Sequence, residues 1–387
     1  MAENAYLVAG GGIAGLAAAL GLAKSGAGVR LYEQQATFAE MGAGLQMSPN
    51  AVRALQWLGA WEAVEAACVV PSEIHVRDGQ DGRLLHRQRL GRPFEERFSA
   101  PYRLAHRADL LQGLLATARE RPAIALNTGT SAIGVAADGA RLIFADGSSA
   151  DGKAIVAADG IRSALRDHMF PNASPRARGN RIYRALVPFA AVPSEIESDC
   201  VTLWLYRRGH VVHYPVSAWR HFNIVAAIDG ESDLDHWSAP DTGEILKSHF
   251  SPACGGLDAM LALPKTWMSW AGADLDPLPV WGRGATVLVG DAAHATLPYL
   301  AQGAAMALED ACVLSQHLAG NGELSQAFAA FARARLPRTT RLQAEARKLA
   351  RIYHLGGLAA AARNVAMALA GHDSLARRYG WVYDWCP

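Results

Sequence analysis

Cysteine is scarce in this chain and scattered. The five present (Cys68, Cys200, Cys254, Cys312 and Cys386) are odd in number and show no metal-ligand spacing. That pattern excludes a disulfide framework and a cysteine metal cluster, no metal is expected, and free thiols point to a reducing cytosol. An excess of one charge is lacking too. With 37 Lys and Arg against 36 Asp and Glu the formal net charge is +1, which leaves no electrostatic footprint for nucleic acid or an anionic membrane. No apolar run reaches the roughly 20 residues of a membrane helix. No basic stretch precedes the first apolar segment, so no signal peptide is expected. Internal repeats, low-complexity linkers, a defensible Ser-His-Asp pattern and a phosphate-transfer loop are all missing. What remains is a globular chain of 387 residues, long enough for one large or two moderate domains and a full core.

Glycine, by contrast, is informative where it occurs. Ala5 to Ala9 is a small apolar strand, Gly10-Gly11-Gly12-Ile13-Ala14-Gly15 follows, and Leu16 to Lys24 reads as a helix rich in Ala and Leu. GxGxxG in this context predicts dinucleotide binding. Gly10 permits the tight turn, Gly12 the approach of a pyrophosphate, and Gly15 close packing of helix on strand, with Ile13 and Ala14 in the first helical turn. Val29 to Glu33 is a second strand. Its terminal Glu33, next to Gln34, falls where a carboxylate accepts hydrogen bonds from a ribose 2′-hydroxyl. An acid there suits FAD or NAD and opposes the 2′-phosphate of NADP.

Three further segments carry chemistry. Thr286 to Val289 is a short apolar strand, followed by Gly290-Asp291, a loop bearing Pro298-Tyr299, and a helix opening at Gly303-Ala304-Ala305. A helix start with free amides suits a negative or electron-rich group. Asp291 at the tip of a buried strand suits a chain of sugar-like hydroxyls. Together they would seat the ribityl and ring of a flavin. Ala154 to Ala158 is a strand leading into Asp159-Gly160 and a helix to about His168. By itself this is equally a plain strand-to-helix turn. Tyr102 to Leu110 precedes a helix to about Glu120; Arg107 suits a phosphate or ribityl oxygen, while Arg107 and Asp109 equally suit a helix start.

In this order the four motifs resemble those of the class A, single-component flavoprotein aromatic hydroxylases, of the salicylate hydroxylase, 3-hydroxybenzoate 6-hydroxylase and 6-hydroxynicotinate 3-monooxygenase kind. The resemblance covers roughly Tyr6 to Arg347. It implies an α/β protein: a Rossmann-like FAD-binding domain like that of p-hydroxybenzoate hydroxylase, an inserted antiparallel-sheet substrate domain and a C-terminal helical segment. It implies that Gly10, Gly12, Gly15 and Glu33 hold the dinucleotide, that Asp159-Gly160 serves FAD and NAD(P)H, and that Gly290-Asp291 holds the flavin side. The segment Gly42 to Ala51, with Gly44 and Leu45, matches the family's flavin-side loop and following helix. The implied activity is a cytoplasmic monooxygenase that uses NADH or NADPH and molecular oxygen to hydroxylate a small phenolic acid through a flavin hydroperoxide. A polycyclic or quinone-precursor substrate on the same fold stays open.

Changes of periodicity divide the chain. Residues 1–71, 102–180 and 272–345 are expected to form a discontinuous FAD-binding domain. Residues 72–101, a hairpin of Glu73 to Arg77 and Arg83 to Leu90, and 181–271 are expected to form the substrate sheet, with strands at Val201–Tyr206, Val211–Val216 and His221–Ile228. Residues 346–387 are expected as a helical segment, with Pro337 kinking or ending the helix before it. The aromatic tail (Tyr379, Trp381, Tyr383, Trp385) suits either core packing or a homodimer contact; core packing is expected.

His210 and Tyr214 lie four apart on one strand, so they share a face and His213 takes the other. The related hydroxylases carry a His and Tyr at this spacing, which implies substrate-binding and proton-handling roles for His210 and Tyr214. Tyr299 stands where several relatives have His, and Met47 occupies an expected pocket-wall position. His294 is expected to bond backbone near the flavin and His106 to be structural. Arg184 and Arg220 are candidate anchors for a substrate carboxylate.

Overall fold

The computed structural model describes residues 4–38, 43–136, 139–196, 198–230, 238–320 and 322–387. Gly42, the first residue of the expected flavin-side loop, lies outside them. Short runs of apolar residues, too short for helices, become the strands of a six-stranded sheet. Its order is Gly282–Arg283, Thr286–Leu288, Ala154–Ala157, Tyr6–Ala9, Val29–Tyr32, Ile124–Asn127. All neighbours are parallel except the first pair. The central strands are buried at every position because helices cover both faces. Ala9 lies level with both Ala157 and Tyr32. Gly10, Ala158-Asp159 and Glu33 therefore leave the sheet side by side, at the carboxyl-end crevice where open α/β sheets bind ligands.

Helix Ile13–Lys24 is apolar on nearly every side and buried between the sheet and helix Gly303–Leu318. Pro49 opens helix Pro49–Leu58, with Ser48 at its N-cap position. The Ser48 hydroxyl does not cap it. It donates to Asn50 Oδ1 (2.7 Å) and accepts from Gln302 Nε2 (2.9 Å), tying this helix to the start of Gly303–Leu318.

The second sheet has eight strands in the order Ser238–Asp241, Trp267–Asp274, Arg176–Pro188, His221–Asp229, Gly209–Val216, Val201–Tyr206, Glu73–Asp78, Leu84–Arg89. The hairpin of the 72–101 excursion joins it through a parallel pairing of Val201–Tyr206 with Glu73–Asp78. One face packs under helices Glu244–His249 and Gly255–Ala262, around Tyr183, Val211, Phe222 and Trp267. The other face looks toward the nucleotide-binding part. Strand alternation sorts side chains between them.

Two boundaries differ from expectation. The 13-residue strand Arg176–Pro188 runs through residue 180, and helix Leu324–Tyr353 runs through residue 345. The chain changes partners along these elements instead of breaking between them. Pro337 sits inside that helix without ending it. Helices Gly357–Leu369, Ser374–Arg378 and Gly380–Tyr383 complete the chain. The tail packs inward: Tyr383 meets the rings of Phe94, Phe98 and Tyr102 at centroid distances of 5.6, 5.3 and 6.5 Å.

Candidate active site

A cavity of about 940 Å³ lies between the two sheets and runs from the glycine-rich turn to the inserted strands. At one end are Gly10, Gly12, Ile13 and Ala14, with Glu33 and Gln34 beside them. Gly10 has φ +104°, and a Cβ there would stand 2.4 Å from the Ala158 carbonyl, so only glycine makes this turn. Glu33 Oε2 accepts the Gly11 N–H at 2.6 Å and Oε1 accepts the Gln35 N–H at 2.8 Å. The carboxylate is thereby fixed against the turn. No side chain caps helix Ile13–Lys24 or helix Gly303–Leu318. Both helices open on the cavity, which is the arrangement that favours phosphate or another electron-rich group. The residues present fit a dinucleotide such as FAD.

The middle is lined by Asp159, Arg107, Gly44, Leu45, Asp291, Pro298, Tyr299, Gly303 and Ala304. Gly44 has a steric reason to be glycine. A Cβ there would lie 2.6 Å from both Asn223 and Tyr214, and its N–H donates to Asn223 Oδ1 at 2.7 Å. The segment opening at Gly44 is thus docked on the second sheet. Asp159 spends much of its carboxylate locally: Oδ1 accepts from Ser163 Oγ at 2.5 Å and Oδ2 from Leu165 N–H at 3.1 Å. Burial raises its pKa despite these bonds.

Three expected positions face elsewhere. Gly15 packs against Gly10 with no room for a Cβ, the close packing of helix on strand expected of it, and does not line the cavity. Gly290 donates its N–H to Asp310 Oδ2 at 2.9 Å. Ala305 is buried in the core of the nucleotide-binding part. The expected role of Met47 as a cavity wall needs correction as well. It is 1% exposed in the same core. Its neighbour Gln46, one residue out of phase on the strand, lines the cavity instead and accepts the Tyr102 hydroxyl at 2.6 Å.

The far end is built on the second sheet. Register places Arg184 opposite Val225, Val225 opposite Val212, Val212 opposite Leu203, and Leu203 opposite Val76. All five line the cavity. They form an apolar floor ending in a guanidinium. His210 and Tyr214 flank Val212 on its own strand and face the same way. Arg184 Nε is buried with no hydrogen-bond partner, and its guanidinium lies 5.1 Å from the Trp270 ring centroid. Burial, with help from nearby Arg107, pulls its pKa down to about 10. Burial also pushes the Tyr214 phenol up, only partly offset by Arg184 and Gln46. His210 is held well below the usual histidine value by burial and by His354. It is a neutral imidazole at pH 7. The Arg220 candidate is not in this cavity; it is exposed, with Nε donating to the Ser217 carbonyl at 2.9 Å.

His294 bonds a carboxylate and not backbone: its Nε2 lies 2.5 Å from Asp310 Oδ2. Asp310 belongs to a buried cluster in which Arg335 bridges Asp310 and Glu309 at 2.7 Å each. Burial alone would raise Asp310; His294 and Arg335 outweigh it and hold the carboxyl low. The cluster fixes the chain immediately before Asp291.

Several lining residues escaped the sequence reading: Gln46, Tyr102, Arg162, Tyr353, Tyr379 and Tyr383. The four-residue spacing of Tyr379 and Tyr383 was a visible signal of one helical face.

His213, on the opposite face, sits 5.0 Å from the Phe222 ring centroid and 6.2 Å from that of Trp204, with neither ring nitrogen bonded. Burial, with Arg77 and His75, takes its pKa to about 3. An unfolded histidine titrates near 6.5. As pH falls from about 6.5 toward 3, the unfolded chain takes up a proton that the folded one refuses. Stability is full above that window and drops through it by about 1.4 kcal/mol per pH unit. His213→Phe should lose less stability between pH 7 and pH 4 than the native protein in urea unfolding. Equal losses would assign the acid sensitivity to other groups.

Among the described residues, no helix is long and apolar enough to cross a membrane, and no group of three or more metal-binding side chains occurs. Comparison with known proteins agrees with this geometry. The family of FAD binding domains matches residues 3–342. The 3-hydroxybenzoate 6-hydroxylase of Polaromonas naphthalenivorans is 34% identical over 388 aligned positions, covering 99% of this chain and 96% of that protein. A salicylate hydroxylase substrate complex superposes with a TM-score of 0.82 at 27% identity, covering 99% of this chain and 96% of the other. HpxO of Klebsiella pneumoniae, complexed with FAD and uric acid, gives a TM-score of 0.85 at 25% identity, covering 99% and 97%. The chain belongs to the class A, single-component FAD-dependent aromatic hydroxylases, and is a flavoprotein aromatic-ring monooxygenase.

Proposed function

We propose that the chain hydroxylates a one-ring phenolic carboxylate of the hydroxybenzoate type, with NADH or NADPH as reductant. Glu33 would hold the adenosine ribose of FAD, the helix start at Gly12–Gly15 its pyrophosphate, and Asp291 its ribityl hydroxyls. Bound FAD supplies reduction by the nicotinamide and activation of oxygen, chemistry that side chains lack. The rest falls to the chain. Val212, Val225 and Leu203 give a planar ring an apolar seat that excludes water. His210, neutral and buried, takes the phenol proton, so that phenolate enriches the ring in electrons. Tyr214 shares the proton handling from the other side of Val212, and Tyr299 shapes the wall at centroid distance 5.0 Å from His210.

The observation that carries this reading is Arg184. A buried guanidinium with an unmet Nε–H, beside a second guanidinium and at the end of an apolar floor, is built for a carboxylate. The 34% identity to a 3-hydroxybenzoate 6-hydroxylase over nearly the whole chain supports the same class. The five cysteines are free, in keeping with a reducing cytoplasm.

The test is a titration of the FAD-loaded protein with 3-hydroxybenzoate, salicylate, hydroxypyridine acids and unsubstituted phenol, read from the flavin spectrum. Arg184→Met should weaken binding of the acid that responds by about 10- to 100-fold, the worth of a charge-assisted hydrogen bond, and leave phenol binding alone. An acid that binds the variant as tightly as the native protein removes Arg184 from the role. A response only to polycyclic compounds overturns the substrate class.

A further inference from the structure

His210 does not stand alone at the cavity wall. Its Nδ1 lies 2.9 Å from His354 Nε2. His354 Nδ1 is in turn directly hydrogen-bonded to Asp229 Oδ1. His354 lies just after the long helix Leu324–Tyr353, and Asp229 ends the strand His221–Asp229 beside the one that carries His210. The His354 side chain is 4% exposed, whereas the Asp229 carboxylate is 32% exposed and reaches water. Three residues distant in sequence thus form one unbroken line from the cavity to the surface.

The carboxylate end fixes the protons along the line. Asp229 already accepts a second hydrogen bond, from Asn180 Nδ2 at 2.9 Å, and acts as an acceptor. A neutral His354 therefore carries its hydrogen on Nδ1, which leaves Nε2 as an acceptor. His210 must then carry its hydrogen on Nδ1 to donate to it. That leaves the His210 Nε2 lone pair for the cavity. The pattern sets His210 as a base, and the surface acid two bonds away dictates it.

We propose that His210, His354 and Asp229 form a proton exit path, with His354 and Asp229 as positioning residues that discharge His210. The proposal rests on the reading of His210 as the base for a substrate phenol. The phenol O–H bond breaks and its proton joins His210 Nε2. The His210 Nδ1 proton passes to His354 Nε2, the His354 Nδ1 proton passes to Asp229 Oδ1, and Asp229 releases a proton to water. One proton enters, one leaves, and both imidazoles end as neutral Nε2–H tautomers; the reverse shift, a proton taken up from water at Asp229 and the His210 Nε2 proton given to the phenolate oxygen of the product, restores them. Without an exit, the buried imidazole would hold a charge in a site where burial and His354 oppose it. Other titratable or charged groups face the line. Tyr299 and Tyr353 pack on His210 at centroid distances of 5.0 and 5.4 Å. Tyr299 also packs on His354 at 5.8 Å. Arg208 Nε is 3.9 Å from Asp229, and His249 faces both Asp229 and His354. None of these interrupts the chain of bonds.

The experiment mixes FAD-loaded protein rapidly with a nitro-substituted hydroxybenzoate, whose phenolate absorbs visible light, in weak buffer with a pH dye. The native protein should show phenolate formation and release of one proton in step. Asp229→Asn and His354→Gln should slow both at least tenfold, leave benzoate affinity within twofold, and regain speed with added imidazole. Native rates in both variants, or slowing that imidazole does not rescue, overturn the path. Histidine ¹⁵N spectra test it without substrate. Two Nδ1–H tautomers are expected in the native protein, with a change at both His354 and His210 in Asp229→Asn; Nε2–H on either native ring overturns it. If native protein binds no phenol, the substrate reading fails, while these spectra still decide the path.

Discussion

Glu33→Arg is expected to release the flavin. Both carboxylate oxygens are committed to the turn, to Gly11 N–H at 2.6 Å and Gln35 N–H at 2.8 Å. Such charge-assisted bonds contribute about 1.5–3 kcal/mol each. Arginine cannot accept either bond, and it sets a guanidinium among backbone donors. Losing both, together with the proposed bond to the adenosine ribose, should cut FAD affinity by two orders of magnitude or more. Glu33→Gln keeps one acceptor oxygen and should fall between. The ratio of flavin absorbance to protein after desalting, followed by titration with FAD, measures this. A Glu33→Arg variant that emerges fully yellow would remove Glu33 from the cofactor site.

The second large effect concerns stability. Arg335, 1% exposed, is the cation that Glu309 and Asp310 share in the core. Arg338 reaches Glu309 but not Asp310. Arg335→Met removes the cation the two carboxylates share, leaving Glu309 with Arg338 and Asp310 with His294, and breaking a buried pair in this way costs about 3–5 kcal/mol. Against a typical total of about 5–15 kcal/mol, that is a large share of the folding margin. The pH dependence carries a sign. In the native protein the arginines and His294 hold both carboxyls low, so their contribution is present above the unfolded carboxyl values near 4 and is lost as pH falls below them. In the variant, burial opposes ionisation of the same carboxyls with one cation fewer to offset it. Its deficit should be largest at neutral pH and narrow as acid protonates them. Urea unfolding at pH 7 and pH 5 checks this, and a deficit that widens at pH 5 would contradict the account. Flavin retention should suffer too, because Asp310 holds Gly290 and His294 on either side of Asp291.

The chain by itself determined whatever depends on spacing. The strand–turn–helix at Gly10, Gly12 and Gly15, and Glu33 at the end of the next strand, are local and were legible. So was the shared face of His210 and Tyr214 opposite His213, because strand period is a property of backbone geometry. The strands Val201–Tyr206, Gly209–Val216 and His221–Asp229 are found where alternation placed them, within two residues. Tertiary structure decided what depends on register and on distant packing. Met47 and Gln46 differ by one step in a pleat, and composition does not tell which faces the ligand. Arg184 and Arg220 are equivalent as letters; only the pairing of Arg184 with Val225 and Val212 sets one on the cavity floor. Glu309 and Asp310 are two adjacent acids in a helix, and only the packing of Arg335 against them makes them a buried cluster. His354 carries no local signal at all. Its meaning arises because a 30-residue helix delivers it beside a strand residue 144 positions earlier, and sequence spacing holds no record of that contact.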